Sequence, residues 1–205
     1  HLGYGMVRLP DGKIKSREGT EGISADEIIE KTTSNAIKEI ESREKLSKKE
    51  IEKRAHVVSL AAIYYSMLKV DINRDMVFNP KESVSFEGNT GPYLLYSYAR
   101  ASSILRKIKK QPKTKQLTEL DEKEYNLINK ISQFPAVVEK SYNQLNPSLI
   151  ANYSYELAQI FNEFYQQCPV INSENEKFRI ELVDAFRKTL KNSLSLLGID
   201  TLEKM

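Results

Sequence analysis

The run NPSLIANYSYELAQIFNEF, residues 146–164, predicts a long amphipathic helix. Its apolar residues recur mainly at intervals of three and four, the spacing that places side chains on one face of an α-helix. Pro147 stands at the start, where a proline costs no hydrogen bond that the helix needs. The apolar face consists of Leu149, Ile150, Tyr153, Leu157, Ile160, Phe161 and Phe164.

Helical periodicity extends from this run in both directions, beginning at Ser24. Capping boxes, in which a Ser hydroxyl and a Glu carboxylate bind each other's backbone N–H groups, are predicted at Ser24–Glu27, Ser47–Glu50 and Ser173–Glu176. Gly198 is expected to end the last helix in the left-handed conformation. Helices are predicted over residues 24–40, 47–70, 90–110, 120–131, 136–145 and 173–197. The sequence therefore predicts a mainly α fold, a helical bundle, beyond residue 23.

Residues 1–23 differ in character from the rest of the chain. They hold five of the eight glycines, and Pro10-Asp11-Gly12 lies between two short runs that suit β-strands. Since Pro presets a turn and Gly accepts a positive φ, this pattern predicts a β-hairpin. Residues 71–85 are rich in helix-breaking residues and are the best candidate for a domain boundary, dividing the chain into 1–79 and 80–205.

Composition excludes several classes of protein. The 205 residues are 40% hydrophobic and 29% charged, which is typical of a globular chain. A single cysteine, Cys168, excludes an internal disulfide framework and fits a reducing compartment. No run approaches the ~20 apolar residues of a membrane-spanning helix. Cys168 and two histidines cannot complete a tetrahedral zinc site. Because the chain lacks an initiator Met, we expect it to be an excised piece of a longer protein.

Basic residues are concentrated between positions 88 and 118. This segment carries seven Lys and Arg residues and no Asp or Glu, whereas the net charge of the whole chain is only +3. Tyr93, Tyr96 and Arg100 are spaced three and four apart, so they share one helix face, while Tyr98 is expected to point inward. Cations beside aromatic rings suit single-stranded RNA. A solvated basic helix end, with tyrosines closing the core, is the alternative.

The loop Lys13–Thr20 is a second candidate site. Two lysines, Ser16 and exposed backbone could hold a polyphosphate. The alternative is a charged hairpin tip, because no strand–glycine–helix unit accompanies the loop.

Four stretches of the chain can be compared with known families. They are residues 1–7, HLGYGMV, residues 11–20, DGKIKSREGT, residues 86–100, FEGNTGPYLLYSYAR, and the C-terminal residues 185–205. In this order they resemble four motifs of the arginyl-tRNA synthetases, a family of class I aminoacyl-tRNA synthetases. The first two resemble the family's signature loop and the segment before it, the third is similar to its Gly-x-Thr-Gly-Pro-Tyr-x-x-Tyr-x-x-x-Arg stretch, and the fourth to its C-terminus, which ends on Met.

This resemblance implies that residues 1–79 are the end of the catalytic domain and residues 80–205 an all-helical anticodon-binding domain. It implies that Lys15 is catalytic and that Lys13, Lys15 and Ser16 form the ATP-binding loop, with Gly12 in the place of the first signature lysine. Nothing in the chain matches the Rossmann half, so we expect the chain alone to be inactive and to bind no cofactor. ATP and Mg²⁺ then belong to the full-length enzyme.

The resemblance also implies tRNA contacts and partners. Asn89, Tyr93, Tyr96, Arg100 and Met205 are the implied tRNA-binding residues. The implied activity is that of a cytoplasmic, monomeric arginine–tRNA ligase that uses arginine, ATP and its tRNA. The alternative function is that of a non-catalytic helical RNA-binding module. A third possible function is that of a helical scaffold without an RNA role.

Overall fold

The computed structural model describes residues 3–10, 12–13, 24–108 and 119–205, which fold into helices beside a small sheet. The strands in these ranges are β1 (Val7–Leu9), β2 (Gly12–Lys13) and β3 (Met76–Val77). The helices are α1 (Ala25–Arg43), α2 (Lys48–Leu68), α3 (Pro80–Ser83), α4 (Gly91–Arg106), α5 (Glu122–Ser132), α6 (Phe134–Gln144), α7 (Ser148–Gln167) and α8 (Glu176–Leu196). The predicted mainly α fold is confirmed. None of these helices is long and apolar enough to cross a membrane.

The sheet has the strand order β2-β1-β3. β1 and β2 pair antiparallel, with Arg8 opposite Lys13, which confirms the hairpin predicted around residues 10–12. β3 pairs parallel to β1, with Val7 opposite Met76. The sequence predicted only a connection over residues 71–85. A strand of two residues is too short for an alternating pattern, and its partner lies about 70 positions away in the chain.

The helices share a large hydrophobic core, and a second, smaller cluster of Ile28, Ile63 and Phe78 packs against strand residues of the small sheet. α4 packs against α2, α7 and α8, and α7 also packs against α5 and α6. At the centre, the rings of Phe161 and Phe186 stack with their centroids 3.7 Å apart. Ala36 of α1 and Val58 of α2 belong to the same cluster of buried residues. The core therefore continues across residues 79 and 80, and the predicted division at that point stays a prediction.

The predicted helix caps are confirmed only in part. Ser24 and Glu27 form both hydrogen bonds of a capping box, and the Ser47 hydroxyl accepts from the Glu50 N–H. The box predicted at Ser173 is wrong, because α8 begins three residues later, at Glu176. The Ser173 hydroxyl instead donates to the Val170 carbonyl at 3.1 Å, in a turn that contains a left-handed Asn172.

Gly198 ends α8 as predicted, with a φ of 71°. The Ile199 N–H then donates to the Leu194 carbonyl at 2.9 Å, and Ile199 is buried. This reversal sends residues 200–205, the C-terminal tail, back over the bundle, where Leu202 and Met205 pack against the core.

Candidate nucleic-acid interface

Helix α4 presents one face to solvent because its other face is buried. Leu94, Leu95 and Tyr98 are fully buried, so the predicted inward position of Tyr98 is confirmed. Tyr96 is exposed and Arg100 is half-buried on the remaining face. The Thr90 hydroxyl caps the helix by accepting from the Tyr93 N–H at 3.3 Å. The packing of α4 thus determines which side chains can meet a ligand.

The Arg100 guanidinium lies between two tyrosine rings. It is 4.8 Å from the ring centroid of Tyr96 and 5.0 Å from that of Tyr165, which α7 contributes. It also donates a hydrogen bond to the Tyr96 hydroxyl at 3.3 Å. Tyr96 is 37% exposed and Tyr165 is 42% exposed, so the outer faces of both rings remain accessible. This arrangement offers flat aromatic surfaces beside a fixed positive charge.

Asn162, which is buried on α7, supports this arrangement from below. Its side-chain NH₂ donates to the Tyr93 hydroxyl at 2.8 Å and to the Ser97 hydroxyl at 2.9 Å. Its carbonyl oxygen accepts a hydrogen bond from Arg100. Tyr93 is half-buried, and this burial raises the pKa of its phenol, with the Asn162 hydrogen bond opposing the shift. Tyr93 therefore supports Arg100 through Asn162 and offers less ring surface than Tyr96.

A cleft of about 400 Å³ opens beside Arg100. Five cationic residues and one carboxylate residue, Glu44, line it, which makes it strongly basic. The cations are Arg54, Arg100, Arg106, Lys107 and Lys204. A neighbouring cavity of about 260 Å³ shares Glu44, Arg54, Tyr96 and Met205 with this cleft. We call the two together the basic cleft. Its charge favours a polyanion.

Of the residues predicted as tRNA contacts, Tyr96, Arg100 and Met205 line the basic cleft, and Tyr93 lies behind Arg100. Asn89 is not brought to it. The Asn89 side-chain carbonyl accepts from the Tyr65 hydroxyl at 2.5 Å, and its backbone carbonyl accepts from the Lys69 ammonium at 2.7 Å. Asn89 therefore joins α2 to the segment before α4.

The predicted ATP-binding loop lies largely beyond the described ranges. Lys15 and Ser16 are outside them, and Lys13 is described only as backbone in β2.

Three residues at or behind the basic cleft were not predicted from the sequence, namely Tyr165, Asn162 and Arg54. Tyr165 follows Phe161 by four positions, so the helical pattern of residues 146–164 could have been extended to it. Asn162 gave no signal, because its hydrogen-bond partners on α4 lie 62 to 69 positions away in the chain. Arg54 was missed because it reaches the basic cleft only through the packing of α2 against α4. Arg54 is held by Glu44 at 3.1 Å and by Glu50 at 2.8 Å.

Neither a reactive thiol nor a metal cluster accompanies the basic cleft within the ranges that the structure describes. Burial raises the pKa of the Cys168 thiol to about 11, which keeps it protonated and unreactive at neutral pH. No group of three or more His, Cys, Asp and Glu side chains with metal-binding geometry occurs in those ranges. The arrangement suits binding by charge and stacking.

The class of protein follows from comparison with known families. The DALR anticodon binding domain matches residues 94–205, more than half of the chain, including α4 from residue 94 onward, α5 to α8 and the C-terminal tail. The chain therefore belongs to the family of proteins that carry this domain.

Individual relatives are more specific. The chain is 44% identical over 211 residues to a Flavobacterium psychrophilum protein named arginine–tRNA ligase, and all of this chain matches 35% of that protein. It is 41% identical to the arginine–tRNA ligase of Bacteroides thetaiotaomicron, again over the whole chain and 36% of the relative. The chain thus spans about a third of the length of these curated relatives.

Solved structures agree with the sequence relatives. Arginyl-tRNA synthetase from Thermus thermophilus superposes with a TM-score of 0.88 at 30% identity, covering 100% of this chain and 35% of that one. The Plasmodium falciparum arginyl-tRNA synthetase superposes with a TM-score of 0.83 at 28% identity, again covering 100% of this chain and 35% of that one.

Proposed function

We propose that this chain is the C-terminal part of an arginine–tRNA ligase and that its basic cleft binds the anticodon loop of the tRNA. The observation that carries this proposal is the guanidinium of Arg100 held between the exposed rings of Tyr96 and Tyr165 at the basic cleft. Anticodon bases are unpaired, so their faces can stack on aromatic rings and on guanidinium planes.

Each part of the basic cleft has a physical role in this proposal. Arg106, Lys107 and Lys204 neutralise phosphates around the loop, which contributes salt-dependent and sequence-independent affinity. Tyr96 and Tyr165 stack on bases, and Met205 supplies an apolar wall beside Tyr96. Asn89 acts indirectly, by fixing the segment before α4.

The catalytic assignments belong to the whole enzyme. We assign residues 1–79 to the end of its catalytic domain and residues 80–205 to the anticodon-binding domain. Lys15 is the proposed catalytic lysine, with Lys13 and Ser16 beside it in the loop for ATP, which reacts as its Mg²⁺ complex. Arginine and its tRNA are the other substrates, and we place the enzyme in the cytoplasm as a monomer. By itself, the chain binds RNA and performs no chemistry.

Binding of an arginine-tRNA anticodon stem-loop tests the proposal. In fluorescence titrations of the 205-residue chain, Tyr96→Ala is expected to weaken binding about 5- to 150-fold, the range for losing one stacked base. Lys107→Ala is expected to reduce the slope of log affinity against log salt by about 0.7, because one phosphate contact is lost.

Tyr142→Ala is the matched control, since Tyr142 is 78% exposed on α6 and does not line the basic cleft. It should bind like the unchanged chain. Equal affinity of Tyr96→Ala and Tyr142→Ala, both folded by circular dichroism, would contradict the proposed interface.

A further inference from the structure

Glu203, in the C-terminal tail, meets side chains from two helices at once. The Tyr98 hydroxyl of α4 donates to its Oε1 at 2.7 Å. Arg187 of α8 places its Nη1 3.7 Å from the same oxygen. The side chain of Tyr98 is fully buried, so the packing of the core fixes the position of its hydroxyl. The carboxylate of Glu203 is thus attached to a rigid point of the bundle.

Arg106 holds the backbone of the same residue. Its Nη1 donates to the Glu203 carbonyl at 2.6 Å and lies 3.8 Å from the carboxylate Oε2. Arg106 also lines the basic cleft. The hydrogen bond from Tyr98, together with Arg187 and Arg106, lowers the pKa of Glu203, so the carboxylate is ionised at neutral pH.

The tail has few other restraints. After the bond from Ile199 to Leu194, no backbone–backbone hydrogen bond holds residues 200–205, all of which the structure describes. Leu202 and Met205 also attach the tail by packing against the core. Lys204 and Met205, the two residues after Glu203, both line the basic cleft. The position of these two side chains therefore depends on where residue 203 is held.

We propose that Glu203 is a positioning residue that holds Lys204 and Met205 at the basic cleft for RNA binding. This inference rests on the proposed function of the basic cleft. The inference predicts that removing Glu203 weakens RNA binding, which is the opposite of what charge alone predicts. Through charge alone, removing a carboxylate near a site for a polyanion should strengthen binding. Displacement of Lys204 and Met205 should instead weaken RNA binding.

The test is a double-mutant cycle in the 205-residue chain, titrated with the anticodon stem-loop. Glu203→Ala is expected to weaken binding about three- to tenfold, since hydrogen bonds to a charged group are lost. Tyr98→Phe, which keeps the ring in the core, should weaken binding in the same direction. Deleting Met205 should also weaken binding, but in the Glu203→Ala background the deletion should have little further effect.

Glu139→Ala is the matched control, because it removes an exposed carboxylate from α6, outside the lining of the basic cleft. It should leave affinity unchanged. The inference is overturned if Glu203→Ala binds the stem-loop as tightly as the unchanged chain or more tightly. It is also overturned if the losses of affinity caused by Glu203→Ala and by deletion of Met205 simply add in the double mutant. In both cases, weaker binding by Tyr96→Ala would leave the proposed function intact. If no variant, Tyr96→Ala included, weakens binding, the proposed function itself fails.

Discussion

Asn162 organises an interface that its neighbours present to solvent. Its amide uses both kinds of hydrogen-bonding group, donating to Tyr93 and Ser97 while accepting from Arg100. Of the side chains of this size, an amide is the one that can do both, since a carboxylate cannot donate and a leucine can do neither. The orientation of Arg100 between the two tyrosine rings therefore depends on a residue 62 positions away.

Asn162→Ala is expected to reduce both stability and RNA affinity. The loss of a buried partner for Arg100 and for the two hydroxyls should lower the free energy of unfolding by about 1–3 kcal/mol. RNA affinity should fall because Arg100 is no longer held against Tyr96 and Tyr165. Urea denaturation and stem-loop titration measure the two effects separately.

Asn143→Ala serves as the control, because Asn143 is exposed on α6. It should change the free energy of unfolding by less than about 0.5 kcal/mol, as surface substitutions usually do. If Asn162→Ala is destabilised yet binds RNA with full affinity, Asn162 supports the core and not the interface.

At the scale of elements, the start of α4 is locked onto α2. A Cβ added to Gly91 would lie 2.2 Å from the carbonyl oxygen of Ala61, far inside van der Waals contact. The two helices therefore approach each other closely at this point because Gly91 has no side chain. Pro92 follows within the first turn, and Thr90 caps the helix. Thr90-Gly91-Pro92 thus specifies where α4 begins and how it lies on α2.

Gly91→Ala should force α4 away from α2. Overpacking at this contact is expected to cost about 1–3 kcal/mol or more in the free energy of unfolding. Because Tyr96 and Arg100 move with α4, RNA affinity should fall as well. Urea denaturation and stem-loop titration again provide the readouts.

Gly88→Ala separates this effect from ordinary glycine strain. Gly88 has a φ of 76°, but nothing lies within 4 Å of the position of an added Cβ. The substitution should cost about 1–2 kcal/mol through the left-handed backbone alone and leave RNA affinity unchanged. A Gly91→Ala chain as stable as the unchanged chain would disprove the close contact.

Elements with local signals were predictable, and those that depend on distant partners were not. The cap and proline at Thr90-Gly91-Pro92 marked the start of α4, and helical spacing placed Tyr96 and Arg100 together. β3 was missed because pairing with β1 creates it. Asn162 and Tyr165 were missed for the same reason, since a fold that brings α7 beside α4 was needed to make them part of the site.

At the scale of the whole molecule, a network of charges joins α8 to the C-terminal tail. Arg187 contacts Asp184 at 3.1 Å and Glu203 at 3.7 Å, and Lys188 contacts Asp184 at 2.8 Å. Burial opposes the ionisation of Asp184, but the hydrogen bonds from Lys188 and Arg187 outweigh it and lower its pKa. The pKa of Glu203 is lowered as well, chiefly by the hydrogen bond from Tyr98.

These shifts determine how stability should depend on pH. A carboxylate whose pKa is lower in the folded chain than in the unfolded chain stabilises the fold above the unfolded value. That contribution is lost as the pH falls through the folded pKa. The ordinary pKa values are 3.8 for Asp184 and 4.5 for Glu203. These two groups should therefore change the melting temperature little between pH 7 and pH 5, and should lower it once the pH drops below about 4.

Asp184→Asn tests whether the ion pairs cause this loss. The variant lacks the charge at every pH, so its melting temperature should be lower than that of the unchanged chain at pH 7. As the pH falls below the ordinary value of 3.8, protonation begins to remove this contribution from the unchanged chain, so the two melting temperatures should approach each other. Thermal unfolding followed by circular dichroism from pH 7 to pH 2.5 measures both midpoints. If the difference between the two melting temperatures persists in full at pH 2.5, the amide disturbs the packing around Arg187 and Lys188. The attraction of these two cations to the Asp184 carboxylate would then contribute nothing to the stability of the molecule.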